Sequence, residues 1–191
     1  MYIVFSMEYC EISQYHTAKE SFISNYCCCT VYVHHSSCRY DDVCPEACAN
    51  FLKLCTGENR ITPSGTPLFY RNCPIHRLVS GGWLQCGDIV DGTGQYSMSA
   101  GGEDVFIRDE SFAVDFSLPE GGIVGYSSSG PHANGSQFFI TFGPCEWMQN
   151  SFVGFGRVVV GNSILRLLER EPTSNQKPNK NIIITGCGEE K

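Results

Sequence analysis

The stretch from Asn134 to Ile140 combines a turn dipeptide with a glutamine amide and two adjacent phenylalanine rings. Asn134 and Gly135 both tolerate a positive φ angle at low cost, so they predict a tight turn. The aromatic run that follows favours a strand leaving this turn. Because side chains alternate along a strand, the amide of Gln137 and the ring of Phe138 lie on opposite faces. The sequence therefore predicts a strand with a hydrogen-bonding amide on one side and an aromatic surface on the other.

The chain around this stretch resembles the cyclophilins, a family of peptidyl-prolyl isomerases. The glutamine and the phenylalanines of the stretch match the family signature. Further family-like motifs follow one another in the family order: Pro45–Phe51, Cys55–Glu58, Tyr70, Ile75–Val79, Gln85–Asp88, Gly92–Gly94, Phe106–Phe112, Phe155–Val158 and Gly186–Gly188. Several ordered motifs are stronger evidence than one short pattern. The resemblance covers roughly residues 40 to 188 and is poor before them.

The resemblance implies a mainly β fold, a closed eight-stranded antiparallel barrel capped by two helices. The composition agrees, because 20 glycines and 9 prolines in a chain that is 12% aromatic indicate short strands joined by tight turns. We expect one domain over residues 1–191, in which residues 1–40 form a divergent N-terminal segment.

Apolar periodicity predicts where the helices and strands of this fold lie. Two helices are expected near Pro45–Leu54 and Ser163–Glu169. Strands are expected at Tyr2–Phe5, Cys27–Val33, Leu68–Val79, Ile89–Val90, Ile123–Tyr126, Phe138–Thr141, Val153–Val159 and Ile182–Ile184. The first two strands would form a hairpin through the polar connection Glu11–Asn25, and Thr173–Asn181 is expected to be a polar loop.

The resemblance implies prolyl isomerisation, a reaction that breaks no bond. Amide resonance opposes rotation about the peptide C–N bond with a barrier of about 18–20 kcal/mol. A cation near the prolyl nitrogen accelerates the reaction only if it favours the twisted amide over the planar one. The resemblance assigns this role to Arg77, whose guanidinium is permanently charged. It places Gln85 and Gln137 in the same catalytic set, where they bind the substrate backbone or orient the guanidinium.

The resemblance also implies a proline-binding pocket. Phe139 matches its aromatic floor, and Met148 stands where the family usually has leucine. Trp147 matches the tryptophan at the rim, whose N–H contacts macrocycles such as cyclosporin. Ser127 and Ser128 belong to a segment whose backbone could bind an extended peptide by strand pairing. The implied partners are proline-containing peptides or protein segments and cyclosporin-like macrocycles.

The chain departs from the family pattern at the walls of this pocket. Gly82 and Trp83 replace a phenylalanine and a methionine, and Trp83 could fill part of the volume that the phenylalanine leaves. Ser127-Ser128-Ser129 replaces Ala-Asn-Ala, and Phe152 replaces a histidine at the pocket edge. With the Gly-Trp pair, the chain looks most like a divergent subgroup of multicellular animals and ciliated cells.

Two functions therefore stay open. The first is a weak peptidyl-prolyl isomerase that assists protein folding, which Arg77, Gln85 and Phe139 favour. The second is a catalytically degenerate cyclophilin fold that serves as a structural or peptide-binding component of a larger assembly, for example a cytoskeletal or ciliary one. Gly82 and Phe152 favour this second function. Fold alone does not decide between them, because function depends on the site.

Charge and motif content argue against other classes of function. The net charge of −7 opposes binding to nucleic acid or to an anionic membrane. No apolar run approaches the ~20 residues of a membrane-spanning helix, and the start of the chain lacks the basic region of a secretory signal. There is no P-loop and no Gly-x-Gly-x-x-Gly before a helix, so we expect no cofactor. We expect a cytoplasmic protein, with association to the cytoskeleton or a cilium as the subgroup resemblance implies.

The 12 cysteines favour reduced thiols over disulfides. Three of them, Cys27–Cys29, are consecutive, and the others are scattered through predicted helices and strands. The alternative is a metal site built from Cys27–Cys29, His34, His35, Cys38, Cys44 and Cys48. This set lacks paired Cys-x₂-Cys motifs, so we expect small, half-buried apolar residues and no metal.

Overall fold

The structure is a computed structural model that describes residues 2–10, 26–34, 43–58, 61–62, 65–102 and 105–190. Of residues 2–10, 26–34 and 190, only the backbone is described. The helices are α1 (Pro45–Thr56) and α2 (Asn162–Glu169), and a 3₁₀ turn spans Glu146–Met148. The strands are β1 (Tyr2–Cys10), β2 (Tyr26–His34), β3 (Arg77–Val79), β4 (Trp83–Cys86), β5 (Ile123–Tyr126), β6 (Phe138–Thr141), β7 (Gly154–Val160), β8 (Thr173–Ser174), β9 (Lys177–Pro178) and β10 (Ile182–Glu190).

Eight strands form one antiparallel sheet in the order β10-β1-β2-β7-β5-β6-β4-β3, and β8 and β9 form a separate hairpin. The predicted β class and the two helices are confirmed. The prediction of a closed eight-stranded barrel is wrong in two respects. Ten strands are present in the described ranges, and the outer strands β3 and β10 are not paired with each other there.

The chain before β3 approaches β10 without forming a regular ladder. The chain just before β3 meets β10 only in an isolated bridge between Pro74 and Ile183. The flanking backbone bonds are Ile75 N–H to Ile182 O at 2.8 Å and Ile184 N–H to Cys73 O at 3.0 Å. These two bonds flank a non-hydrogen-bonded pair, so the N–H that Pro74 lacks would point away from β10 and the bridge loses no hydrogen bond by it.

The two helices and one face of the sheet enclose a single continuous core. In β4 and β6 the inward residues are Leu84, Phe138 and Ile140, and all are at most 1% exposed. Helix α1 adds Phe51, whose ring contacts the rings of Tyr70, Phe138 and Phe155 at centroid distances of 4.8–5.3 Å. Helix α2 adds Leu165 and Leu168, which belong to the same cluster.

Both helices lie where the periodicity predicts them, each extended by one or two residues. The predicted strand Leu68–Val79 is regular only over Arg77–Val79, where β3 pairs with β4. Ile89–Val90 is not a strand, because the Asp88 carboxylate accepts hydrogen bonds from the N–H groups of Val90 and Asp91 and bends the chain into a turn.

The predicted elements near the two ends of the chain agree with the structure in part. The predicted loop Thr173–Asn181 contains the β8–β9 hairpin. The backbones of β1 and β2 pair as the predicted first hairpin, while its connection Glu11–Asn25 lies outside the described residues.

Two contacts from distant residues fix α1. The carboxylate of Glu110 accepts the N–H groups of Glu46 at 2.9 Å and Ala47 at 2.7 Å, and thereby caps the first turn. Asn50, which is 4% exposed, donates to the Tyr126 hydroxyl at 2.7 Å and to the Gly135 carbonyl at 3.0 Å. Its side-chain oxygen also accepts the N–H of Ala100 at 2.7 Å. Asn50 therefore ties α1 to the segment that leads into β6. The tight turn predicted at Asn134-Gly135 is wrong, because neither residue has a positive φ angle and Asn134 forms a bridge with Ile107.

We expect Asn50→Leu to lower the free energy of unfolding by about 3 kcal/mol, because it removes the buried hydrogen bonds that Asn50 makes to the carbonyl of Gly135 and the N–H of Ala100. Chemical denaturation followed by circular dichroism measures this loss. Lys53→Leu, at an exposed position of the same helix, is the matched control and should change stability by less than about 0.5 kcal/mol. Equal losses in the two variants would contradict the role of Asn50.

Candidate functional site

Strand register brings the predicted catalytic residues to one face of the sheet. Arg77 in β3 pairs with Gln85 in β4, Gln85 pairs with Phe139 in β6, and Phe139 pairs with Gly125 in β5. Directly paired residues project their side chains to the same face, here the one opposite the main core. A Cβ atom at Gly125 would lie 2.5 Å from Cζ of Phe139, so the glycine makes room for the Phe139 ring.

The two predicted glutamines are joined directly. Nε2 of Gln85 donates to Oε1 of Gln137 at 2.7 Å. Nε2 of Gln137 in turn donates to the carbonyls of Gly94 at 3.0 Å and Tyr96 at 2.8 Å. The residues are 9% and 5% exposed. Their amides are thus held in fixed orientations beside Arg77, because the nitrogen of Gln85 and both polar atoms of the Gln137 amide take part in these hydrogen bonds.

A buried carboxylate holds the loop to which Gln137 is bonded. Asp88, which is 1% exposed, accepts the N–H groups of Val90, Asp91, Gly94 and Tyr96 at 2.8–3.3 Å. Burial raises the pKa of Asp88, but the backbone donors outweigh it and hold the pKa below its usual value. The ionised carboxylate is therefore the form that organises this loop.

The aromatic floor of the predicted pocket is covered. Phe139 is 2% exposed and Met148 is 1% exposed, and both belong to a cluster with Val114, Phe116, Ile123 and Cys145. Two of the departures from the family pattern, Trp83 and Phe152, pack against this cluster. The Phe152 ring meets the Phe139 ring edge-on at a centroid distance of 5.7 Å. The protein's own side chains thus cover the surface expected to bind a proline ring.

An aromatic array continues from this floor to the surface. Trp147 lies 6.0 Å from Phe152 and 5.4 Å from Trp83 between ring centroids. The Trp147 side chain is 60% exposed, as expected for a residue at a pocket rim. The rings of Trp83, Trp147 and Phe152 form the outer edge of the site, and we call them the aromatic rim.

Arg77 lies at one end of the aromatic rim. Its Cζ atom is 5.3 Å from the centroid of the Trp83 ring, a cation–π distance. Its Nε donates to Oε1 of Gln176 at 2.7 Å. Gln176 belongs to the turn between β8 and β9 and was not predicted to be near the site. The only sequence signal there is a polar turn, and nothing in it points to a residue 99 positions away.

Ser127 and Ser128 lie just beyond β5. The N–H of Ser127 donates to the carbonyl of Gln137 at 2.9 Å, which extends the pairing of β5 and β6 by one residue. The Ser128 hydroxyl bonds to the carbonyl of Gly130. The serines therefore stiffen the turn beside Gln137, and their role in peptide binding stays a prediction.

The whole of this region matches one family model. The model describes the cyclophilin-type peptidyl-prolyl cis-trans isomerase family and matches residues 40–189. The chain belongs to the cyclophilin family.

Three mammalian relatives of this cyclophilin domain carry the name "Probable inactive peptidyl-prolyl cis-trans isomerase-like 6". The Bos taurus protein is 39% identical over 150 residues, which cover 78% of this chain and 48% of that protein. The Homo sapiens protein is 40% identical over 150 residues, covering 78% and 47%. The Mus musculus protein is 39% identical over 139 residues, covering 73% and 43%. The chain thus spans about half the length of the curated relatives it matches, and the predicted divergent subgroup is confirmed.

In the described ranges of the cyclophilin domain, no three His, Cys, Asp or Glu side chains are grouped to hold an ion, and no helix has the length and apolar character needed to cross a bilayer. Seven cysteines have described side chains, and these are thiols rather than halves of disulfides. The alternative metal set rests mainly on Cys27–Cys38, whose side chains lie outside the described residues.

We expect the stabilisation contributed by Asp88 to disappear in acid. A carboxyl group whose pKa is lower in the folded state binds protons more weakly there, so the unfolded state takes up more protons as the pH falls. The contribution is complete above the unfolded pKa of about 3.9 and is lost as the pH falls through the folded pKa. Asp88→Asn should therefore be less stable than wild type at pH 7, and the difference should shrink towards pH 2.

Urea denaturation of both proteins between pH 7 and pH 2 measures this difference. Glu120→Gln, at an exposed position, controls for the loss of one carboxylate. A stability gap between wild type and Asp88→Asn that does not change with pH would show that the charge of Asp88 does not hold the loop.

Proposed function

We propose that this cyclophilin domain binds proline-containing segments and isomerises their X-Pro bonds only weakly. The proposal rests on the burial of the aromatic floor of the pocket, where the side chains of Phe139 and Met148 are 2% and 1% exposed. A proline ring could reach Phe139 only if Phe152 or Trp83 moved aside. Substrate binding would therefore have to overcome the packing of these side chains, and only the surplus would appear as affinity.

The retained polar groups support a residual activity. Arg77 lies in register with Gln85 and Phe139, so its guanidinium faces the same surface as the aromatic floor. A cation there would favour the twisted amide, in which the prolyl nitrogen carries more electron density, over the planar amide. Two separate effects therefore set the rate of isomerisation. The aromatic cover weakens the capture of substrate, while Arg77 preserves stabilisation of the transition state.

The second candidate is a cyclophilin domain that docks in a larger assembly and catalyses nothing. The printed name of the relatives includes "Probable inactive", and each relative is about twice as long as the matched region. The exposed ring of Trp147 and its neighbours in the aromatic rim would provide contact area for such a partner. A cytoplasmic location, with the cytoskeleton or a cilium as the assembly, belongs to this proposal, as does binding of cyclosporin-like macrocycles at Trp147.

We expect the double variant Trp83→Met/Phe152→His, which restores the family residues, to raise kcat/KM about 10-fold. Uncovering part of the Phe139 ring removes a binding cost of the order of 1.4 kcal/mol, which corresponds to that factor. Exchange spectroscopy by NMR on a short Ala-Pro peptide measures the rate. Phe106→His, at an aromatic position that is 45% exposed and outside the covering cluster, is the matched control and should leave the rate unchanged.

Adding Arg77→Ala to the uncovered double variant should lower its rate by about 10²–10³-fold, the cost of removing one transition-state donor. If wild type, the uncovered variant and the uncovered variant with Arg77→Ala all match the uncatalysed rate, catalysis is absent and the docking function is the better account.

Gly82→Phe tests whether the missing wall can simply be replaced. A Cβ atom at Gly82 would lie 3.3 Å from Cγ1 and 3.4 Å from the carbonyl oxygen of Val79, so Val79 must shift to admit a side chain. Trp83 also already packs against the cluster beside it. We expect overpacking, with a loss of about 1–2 kcal/mol of stability and no gain in isomerisation rate. Thermal unfolding and the same NMR assay measure the two quantities, and a faster variant would contradict this expectation.

A further inference from the structure

The turn between β8 and β9 holds a residue that does not suit its backbone. Asn175 and Gln176 are the two residues of this turn, with φ angles of 51° and 64°. Two-residue hairpin turns with positive φ at both positions favour asparagine or aspartate followed by glycine. Asn175 fits that preference. Gln176 does not, because the left-handed conformation is unfavourable in free energy for a residue that has a Cβ atom. A backbone outlier of this kind is a reason to ask what its side chain does.

The Gln176 side chain contacts the candidate catalytic arginine. Its Oε1 accepts the Nε–H of Arg77 at 2.7 Å, and its backbone carbonyl accepts the N–H of Leu78 at 2.6 Å. The tip of the hairpin is thus bonded to two successive residues of β3. The ring of Trp83 lies 5.3 Å from Cζ of Arg77. Gln176 and Trp83 together restrain a side chain that is only half-buried.

We propose that Gln176 is a positioning residue for Arg77. Its amide oxygen holds Nε and so fixes the plane of the guanidinium, which leaves the two terminal nitrogens to face a bound peptide. Among the described residues, these terminal nitrogens have no hydrogen bond and no ion pair. The contact between the restrained arginine and a proline-containing segment rests on the proposed function.

The hairpin does not need glutamine for its own stability. The Ser174 hydroxyl donates to Oδ1 of Asn179 at 2.8 Å, and the N–H of Asn179 donates to the carbonyl of Pro172 at 2.9 Å. These bonds close the hairpin without the Gln176 side chain. Glycine at position 176 would keep the backbone bond to Leu78 and relieve the left-handed conformation. If Gln176 had only a structural role, Gln176→Gly would lower the stability and leave Arg77 unchanged. If Gln176 positions Arg77, the same variant keeps or raises the stability but weakens the function.

The test compares Gln176→Gly with Asn175→Gly, which alters the neighbouring left-handed residue of the same turn and removes no recorded contact to Arg77. Three quantities are measured on the whole chain. They are the Tm, the NMR signal of the Arg77 Nε–H group, assigned by its loss in Arg77→Lys, and the affinity for a short Ala-Pro peptide.

Gln176→Gly should have a Tm at least equal to that of wild type, and yet its Arg77 Nε–H should exchange faster with water and shift towards the position of a free arginine. Its peptide affinity should fall about tenfold, as expected when a hydrogen bond to a charged group is lost. Asn175→Gly should keep the wild-type arginine signal and affinity. Gln176→Glu, which preserves an oxygen acceptor for Arg77, should retain the slow exchange of the Nε–H group.

The inference is overturned if the Arg77 signal is the same in wild type and Gln176→Gly, or if Asn175→Gly alters it equally. Failure of the proposed function looks different. In that case the Arg77 signal responds to Gln176→Gly as expected, while neither wild type nor any variant binds the peptide.

Discussion

The pairing of β4 with β6 is the constraint on which the rest of the structure depends. It sets Gln85 opposite Phe139 and Leu84 opposite Ile140. Because side chains alternate along each strand, this one register sends Leu84 and Ile140 into the core and sends Gln85 and Phe139 to the opposite face. A shift by one residue would exchange the two sets. The burial of the core residues therefore stabilises the arrangement of the candidate site as well.

Loops cover the outer face of these strands, and hydrogen bonds from side chains hold these loops in place. Gln149 joins the two loops that cover Phe139, since its Nε2 donates to the Phe112 carbonyl at 2.7 Å and its Oε1 accepts the Phe116 N–H at 3.3 Å. Asp88 organises the loop that orients Gln137. The side chains of Gln149 and Asp88 thus hold loops that have no strand ladder, and the amides and aromatic rings of the site stay in fixed positions.

Two features of the site act in opposite directions on a proline substrate. Arg77 and the paired glutamines keep the polar arrangement that an isomerase needs, whereas Trp83 and Phe152 cover the apolar surface that would bind the ring. The cover buries aromatic area that would otherwise be exposed to water, and this contributes to the stability of the free protein. A ligand must replace those contacts with equally good ones. The same aromatic residues therefore strengthen the fold and weaken substrate capture.

The sequence by itself determined the features that depend on neighbours in the chain. The periodicity of apolar residues located α1 and α2, and continuous apolar runs located β5 and β6. The tight turn predicted at Asn134-Gly135 was wrong, because Asn134 forms a bridge with Ile107 instead. The motif order also led to Arg77 and Gln85, because a family signature is a property of the chain. Each of these signals lies within a short stretch of sequence and can be read without knowing how distant residues pack.

Only the tertiary structure decided the features that depend on contacts between distant residues. Glu110 caps a helix 63 positions away, and Gln176 meets Arg77 from 99 positions away. The chain before β3 meets β10 only in the isolated bridge between Pro74 and Ile183. Phe152 and Trp83 look like simple replacements in the sequence, yet they cover the floor at Phe139 once the chain is folded. Such contacts depend on how loops pack in three dimensions, and the spacing of residues along a chain does not encode that packing.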